Sequence, residues 1–269
     1  MSKLLDRLDR ITRGPVRSLG FTPTSAREAV ATMALVVQVA DLKQAGATEA
    51  LQAGADAIVA LASGPALSLL EVKERPALPE GSTWGVEIQA LDGTQAEALK
   101  GLGCDFLVFG IEHTPVEALG EGECTRVLRV SPALEDTLLR NIEDLPVDVV
   151  IVSKPGPEGP LSLAHLLAIA NVRAATSRYL LVEWDAPLSA RELEHLRDMG
   201  VDGIVVNASG EALAATVSAL RERIGALPAR KPRSEREGRA PLLPRLEGMG
   251  SGRSRAPEPD EEEEEEEDY

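Results

Sequence analysis

Short apolar runs recur along the first 227 residues, and stretches with helical spacing of apolar positions separate them. The runs are rich in branched side chains and hardly alternate with polar positions, which is typical of strands buried on both faces of a parallel sheet. This pattern predicts eight strands, at 35–40, 57–62, 84–89, 106–111, 126–131, 149–153, 179–184 and 203–207.

Helical patterns lie between these strands, for example at 94–102, 132–145, 161–175 and 189–200. Eight strand–helix units in succession predict the α/β class and a (β/α)8 barrel of the TIM type. An open doubly wound sheet is the alternative, because the sequence does not show whether the eighth strand pairs with the first.

A finer repeat spans two strands. The tripeptides 54–56, 103–105, 146–148 and 200–202 each end in Asp just before an even-numbered strand, and three of them begin with Gly. Gly suits the residue after a helix end, and Asp can bond backbone groups of the following turn. We interpret these Asp residues as stabilising the N-terminal face of the barrel.

The composition divides the chain into three parts. Residues 1–33 form an N-terminal helix, from apolar positions at 4, 5, 8 and 11, and the segment leading into the barrel. Residues 16–21 could add an extra strand. Residues 34–227 form the barrel, and residues 228–269 are predicted to be a disordered linker and acidic tail. The tail holds an apolar segment, Pro241–Leu246, that could dock on a protein partner, and nine consecutive acids, Asp260–Asp268, typical of a solubilising tail.

Charge and composition exclude several function classes. The net charge is −16 and aromatic residues make up 3%, which argues against binding to nucleic acid. No apolar run approaches the roughly 20 residues that span a membrane. Two cysteines and the absence of an apolar signal sequence favour a cytoplasmic protein without disulfides.

The segment 189–224 resembles the final βα units of phosphate-binding (β/α)8 barrels, the group that includes tryptophan- and histidine-biosynthesis barrels and thiamine-phosphate synthases. Gly200-Val201-Asp202-Gly203 and Asn207-Ala208-Ser209-Gly210 carry the resemblance. It implies a phosphate held on backbone N–H groups near Asn207 and Ser209. The turn at 184–187 departs from the pattern, because it has no glycine and contains Asp185, so the resemblance bears on the fold more than on the ligand.

Active sites of such barrels lie at the carboxyl ends of the strands. Three charged residues lie within predicted strands there: Glu87, Arg129 and Glu183. A buried unpaired charge is costly, so they either pair as a salt-bridged layer or serve a ligand. In the second interpretation Glu87 and Glu183 are acid/base groups. Arg129 anchors an anionic substrate, and the other substrate-binding candidates are Gln38, Gln89, Asn207 and Ser209.

Lys154 and His113 complete the catalytic candidates. Lys154 follows the sixth strand and could form a Schiff base with a carbonyl substrate, or be a solvated loop residue on the face opposite Ser153. His113 follows the fourth strand and could shuttle protons. A divalent ion on Glu87, Glu112, His113 and Asp185 is a further alternative, but no ligand spacing supports it, and we predict no metal site.

No motif for a nicotinamide cofactor, a nucleoside triphosphate or structural zinc is present, so no cofactor is predicted. The sequence therefore predicts a barrel lyase or isomerase that acts on a small anionic carbonyl compound, phosphorylated or not. The alternative is a catalytically inactive barrel that acts as a binding or scaffold protein through its charged tail.

Overall fold

The computed structural model describes residues 2–13, 31–40, 42, 45–61, 78–88, 93–119, 124–154, 159–185, 187–207 and 213–228. The chain separates into two units, Met1–Arg233 and Ser234–Tyr269, and every described residue lies in the first. The segment at 16–21, the apolar segment Pro241–Leu246 and the acidic run Asp260–Asp268 lie outside the described residues.

Eight parallel strands form a closed barrel in chain order. The barrel closes where β8 pairs with β1, with Leu35 opposite Ile204. This pairing excludes the open doubly wound sheet and confirms the predicted (β/α)8 fold. Each predicted strand is present within one or two residues at its ends: β1 Ala34–Val39, β2 Ala57–Leu61, β3 Trp84–Ile88, β4 Phe106–Phe109, β5 Thr125–Val130, β6 Val149–Val152, β7 Tyr179–Glu183 and β8 Gly203–Asn207.

Helices connect the strands on the outside of the barrel. Those in the described residues are α1 Lys3–Arg13, α2 Ala45–Gln52, α3 Gly93–Gly101, α4 Asp136–Arg140, α5 Leu163–Ala175, α6 Ala190–Asp198 and α7 Leu213–Ala226, with 3₁₀ turns at Val116–Leu119 and Asn141–Asp144. The helical stretch predicted at 132–145 is divided between α4 and a 3₁₀ turn. A 3₁₀ turn aligns residues three apart, which lets Leu139 and Ile142 both be buried. No helix in the described part of the chain is long and apolar enough to cross a bilayer.

Helix α1 closes the N-terminal end of the barrel. Its Leu4, Leu8 and Ile11 are fully buried and pack with the inward-facing side chains of the strands, Phe106 among them. At the same end, burial and the neighbouring Asp9 raise the pKa of Tyr179 to about 12, and the Tyr179 hydroxyl donates to Asp9. The predicted N-terminal helix is therefore present, packed across the barrel's end.

The Asp residues that precede the even strands hold backbone groups at this end. Asp56, Asp148 and Asp202 accept the N–H groups of Leu35, Arg126 and Leu180, each in the preceding odd strand, at 2.9 Å. The fourth, Asp105, instead caps α1, because its carboxylate accepts the N–H groups of residues 3 and 4 at 2.8 and 2.9 Å. These contacts agree with a stabilising role at the N-terminal face.

Candidate functional site

Arg129 lies at the centre of a polar layer near the carboxyl ends of the strands. Its Nη1 donates to Glu183 Oε2 at 2.6 Å, and its Nη2 donates to Glu87 Oε2 at 2.6 Å. Gln38 Oε1 lies 3.4 Å from Nη2. The structure thus brings four of the sequence candidates together around one guanidinium.

These four residues form one layer of the barrel interior. They come from β1, β3, β5 and β7, and alternate strands supply the four side chains of a layer in such barrels. Each lies on the last or next-to-last residue of its strand but points inward, because strand side chains alternate between the two faces. Val36, Val127 and Leu181, two residues earlier on three of these strands, belong to the apolar cluster below. The polar layer therefore lies directly above the apolar side chains of the barrel interior.

The layer is partly open to solvent. The side chains of Arg129, Glu87 and Glu183 are 15%, 18% and 18% exposed, whereas Gln38 is buried. Arg129 Nε is buried and has no hydrogen-bond partner among the described residues. Two carboxylates face one guanidinium, so the three charged groups carry one net negative charge. Pairing offsets the cost of burying them, and the surplus charge disfavours a bound anion at this layer.

These contacts agree in part with each of the two interpretations of the sequence. Glu87, Arg129 and Glu183 converge, as an active site requires, and they form ion pairs with one another, as a structural layer requires. The guanidinium edges that would hold a substrate carboxylate are occupied by Glu87 and Glu183.

Lys154 lies apart from this layer. Its Nζ is 3.4 Å from Asp185 Oδ2 and 5.8 Å from the ring centroid of Trp184. Trp184 is buried and belongs to the cluster between the sheet and the outer helices, as does Val152, which shares the strand face of Lys154. The Lys154 side chain therefore packs outside the barrel wall, on the face opposite Ser153.

The remaining candidates are dispersed or fall outside the described residues. His113 is 71% exposed in the turn after β4, with Glu112 Oε2 at 3.9 Å from its Nε2. Asn207 is exposed at the end of β8, beside Gln38 in the register of the two strands. Gln89 and Ser209 lie outside the described residues. In the described part of the chain, no three His, Cys, Asp or Glu side chains are grouped to hold a metal ion.

Sequence reasoning missed the surroundings of Trp184. His165 packs edge-on against this ring with the centroids 5.1 Å apart, and His165 Nδ1 also accepts the N–H of Ser162 at the start of α5. The indole Nε1 of Trp184 is buried, and no described residue offers it a hydrogen-bond partner. Strand alternation is the signal in the sequence that could have placed Lys154 beside this cluster, because it puts Lys154 on the face opposite the inward-facing Ser153.

Comparisons with known proteins agree on the fold. No protein-family model and no curated protein sequence matches this chain. Among solved structures, tryptophan synthase from Mycobacterium tuberculosis is 18% identical over 72% of this chain and 93% of that chain, with a TM-score of 0.53.

A mutant tryptophan synthase alpha-subunit from Pyrococcus furiosus is 14% identical over 71% of this chain and 96% of its own, with a TM-score of 0.54. A native KDPGal structure is 15% identical over 70% and 93%, with a TM-score of 0.50. At these identities the similarity shows the architecture alone, and that architecture is the closed (β/α)8 barrel of the TIM type.

Proposed function

We propose that the protein is a lyase or isomerase that moves a proton on a small carbonyl compound bound at the carboxyl ends of the strands. One observation carries the proposal: Glu87 and Glu183 meet at one guanidinium and remain partly exposed at the end of the barrel where such folds place their chemistry. Sharing the fold with enzymes, tryptophan synthase among them, supports a catalytic role.

In the proposed step one carboxylate accepts a proton from the carbon next to the substrate carbonyl. The electron pair of the broken C–H bond moves to the carbonyl oxygen, where the positive charge of Arg129 stabilises it. In an elimination the carboxylic acid so formed gives the proton to the departing group as the carbonyl re-forms. In an isomerisation the neighbouring hydroxyl proton passes to the enolate oxygen, the acid returns its proton to the former carbonyl carbon, and the neighbouring carbon becomes the new carbonyl. Protons and charge balance over the cycle without a cofactor.

Arg129 also has a positioning role in this proposal, beside the stabilisation of charge on the carbonyl oxygen. Both of its terminal nitrogens donate to glutamates, so it holds the two carboxylates toward one point. An anionic group on the substrate would bind above the layer, away from its surplus negative charge. The resemblance of residues 207–210 to a phosphate-binding turn supports Asn207 and Ser209 as partners of that group.

Proton exchange with solvent tests the proposal without knowledge of the substrate. The full chain is incubated in D₂O with a panel of 2-oxo acids and phosphorylated ketoses, and NMR measures loss of the proton next to the carbonyl. We expect exchange on at least one compound. Glu87→Gln or Glu183→Gln should slow it at least about 100-fold, the usual size of a general acid or base effect.

Glu112→Gln is the matched control, because Glu112 is an exposed carboxylate in the turn after β4. Its exchange rate should stay within a factor of two of the wild-type rate. Failure of the wild-type protein to exchange any compound, or wild-type rates in both glutamine variants, would overturn the proposal.

Lys154 is tested separately. Borohydride reduction in the presence of each carbonyl compound traps an imine as a stable mass increase. An adduct on Lys154 that disappears in Lys154→Met would place this amine in the reaction and require it to leave Asp185 and Trp184. An unmodified Lys154 with proton exchange intact would leave the two glutamates as the acid/base groups.

The pairing of both terminal nitrogens of Arg129 with glutamates favours a second candidate, a barrel that binds a partner without catalysis. In that case the salt-bridged layer is structural, and the tail provides the binding surface. Deleting residues 230–269 should then abolish partner co-purification. Unchanged recovery after this deletion would reject the second candidate, whereas proton exchange by the wild-type protein would favour the first.

A further inference from the structure

A cavity of about 630 Å³ lies at the N-terminal end of the barrel, opposite the proposed active site. It is bounded by α1, the end of α2 and the segments leading into β2 and β3. Lys3, Arg7 and Arg10 line it together, because residues three and four apart share one face of a helix. Its volume is within the usual range of sites for small molecules.

The carboxylate of Asp56 lies in the wall of this cavity and pairs with two arginines. Arg7 Nη2 is 2.7 Å from Asp56 Oδ1, and Arg221 contacts both oxygens of Asp56, at 3.1 and 3.0 Å. The Asp56 side chain is 5% exposed, so two guanidinium groups share one buried carboxylate. This arrangement reverses the charges of the Arg129 layer at the other end of the barrel.

Three side chains that line this cavity have donor groups that no carboxylate in the described part of the chain occupies. Arg7 Nε is buried and has no hydrogen-bond partner there. Arg10 is exposed on the cavity side of α1 and makes no ion pair within the described residues. Lys3 Nζ contacts only a neutral group there, the carbonyl of Ser82, at 3.3 Å.

Two acids, Asp6 and Glu80, also line the cavity. With Asp56 these make three carboxylates, which equal the three cations that line the cavity, Lys3, Arg7 and Arg10. Arg221 contacts Asp56 but is not among the lining residues. The charges of the lining therefore balance, although the whole chain carries a charge of −16. A small anion would accept hydrogen bonds from the cationic donors that no carboxylate occupies.

We propose that the N-terminal cavity is a binding site for a small oxyanion, a compound with a phosphate or carboxylate group, with Arg7, Arg10 and Lys3 as its ligands. The guanidinium group of arginine suits a phosphate or a carboxylate, because it can donate two parallel hydrogen bonds to either. The site is separate from the proposed active site and does not depend on the proposed reaction.

Isothermal titration calorimetry on the full chain tests the site, with inorganic phosphate and succinate as the two probes and sodium chloride at matched ionic strength as the blank. We expect saturable binding of at least one probe. Arg10→Gln and Lys3→Gln should each weaken it about tenfold, because each removes one charge-assisted contact without breaking an ion pair within the described residues.

Arg13→Gln is the matched control. Arg13 is on the same helix and carries the same charge, but its side chain is 76% exposed and pairs with Asp9. The affinity of the Arg13→Gln variant for the probe should stay within twofold of the wild-type value. Glu87→Gln should also leave the affinity for the probe unchanged. No saturable binding of either probe, or equal weakening by Arg10→Gln and Arg13→Gln, would overturn the proposal. Loss of binding in Asn207→Ala with Arg10→Gln unaffected would place the anion at the other end of the barrel.

Discussion

Arg129 Nη1 donates a hydrogen bond to Glu183 Oε2 at 2.6 Å, which joins β5 to β7 inside the barrel. The same guanidinium reaches Glu87 on β3, so a single side chain links three strands that are not neighbours in the sheet. Replacing Arg129 should therefore lower the stability of the fold, and this loss can be measured separately from any effect on catalysis.

Arg129→Met should destabilise the protein by about 3 kcal/mol, because it leaves two carboxylates partly buried without a counter-charge. Urea denaturation at pH 7 measures the change. The triple variant Glu87→Gln, Arg129→Met, Glu183→Gln removes all three charges and should recover at least about 1 kcal/mol of that loss. A triple variant no more stable than Arg129→Met would show that the loss arises from packing of the arginine stem.

The cap on α1 is a second determinant of stability. Asp105 accepts the backbone N–H groups of Lys3 and Leu4, and its Oδ2 also accepts the hydroxyl hydrogen of Ser2 at 2.9 Å. Asp105→Ala should cost about 1–2 kcal/mol, the usual range for loss of a helix cap. Hydrogen exchange should speed up in α1 before the strands. Glu97→Ala, on the exposed side of α3, serves as the control and should leave α1 protected.

Glu143 makes stability depend on pH in the acid range. Hydrogen bonds from the hydroxyl and backbone N–H of Ser177 are the main causes that lower its pKa to about 2. Because the folded pKa is below the unfolded value of about 4.3, this stabilisation is complete above about pH 5 and is lost as pH falls toward 2.

Glu143→Gln should therefore cost about 1 kcal/mol at pH 7, a small value because the side chain is 40% exposed, and about half as much at pH 3. Urea denaturation at both pH values gives the difference from wild type. Glu135→Gln is the control, since Glu135 is exposed and makes no side-chain cap bond to α4. A cost for Glu143→Gln that is the same at pH 7 and pH 3 would contradict the assignment.

Gly85 provides the space that Phe106 fills. A Cβ at position 85 would lie 2.4 Å from two ring carbons and from the carbonyl oxygen of Phe106. Phe106 is fully buried between the strands and α1, so it has no free volume to move into. Gly85→Ala should destabilise the protein by at least about 2 kcal/mol by thermal or urea denaturation.

Gly225→Ala is the control for that substitution. Gly225 is in α7, and apart from its chain neighbours and the adjoining helix backbone no atom of the described residues lies within 4 Å of the position of its Cβ. Alanine should be neutral there or stabilise the helix by up to about 1 kcal/mol. Equal effects at positions 85 and 225 would mean that the interior adapts to the extra methyl group.

The strands could be predicted from the sequence because each is a short run dominated by apolar, mostly branched residues, and the few charged residues within them marked Glu87, Arg129 and Glu183 as a set that pairs or serves a ligand. The barrel itself was predicted from the number of strand–helix units. The register that closes it, Leu35 opposite Ile204, could not be predicted, since these residues are far apart in the chain. The pairing of Arg7 with Asp56 was equally inaccessible, because it depends on where α1 lies across the barrel. Local periodicity carries no information about such long-range contacts.

Helix α1 closes one end of the barrel to solvent. Leu4, Leu8 and Ile11 pack on the inward-facing strand side chains, which themselves fill the interior, so no solute can pass along the axis from one end to the other. A metabolite exchanging at the Glu87–Arg129–Glu183 end must enter and leave by the same opening. An anion bound beside Arg10 could influence the opposite end of the barrel only by displacing the backbone of the strands.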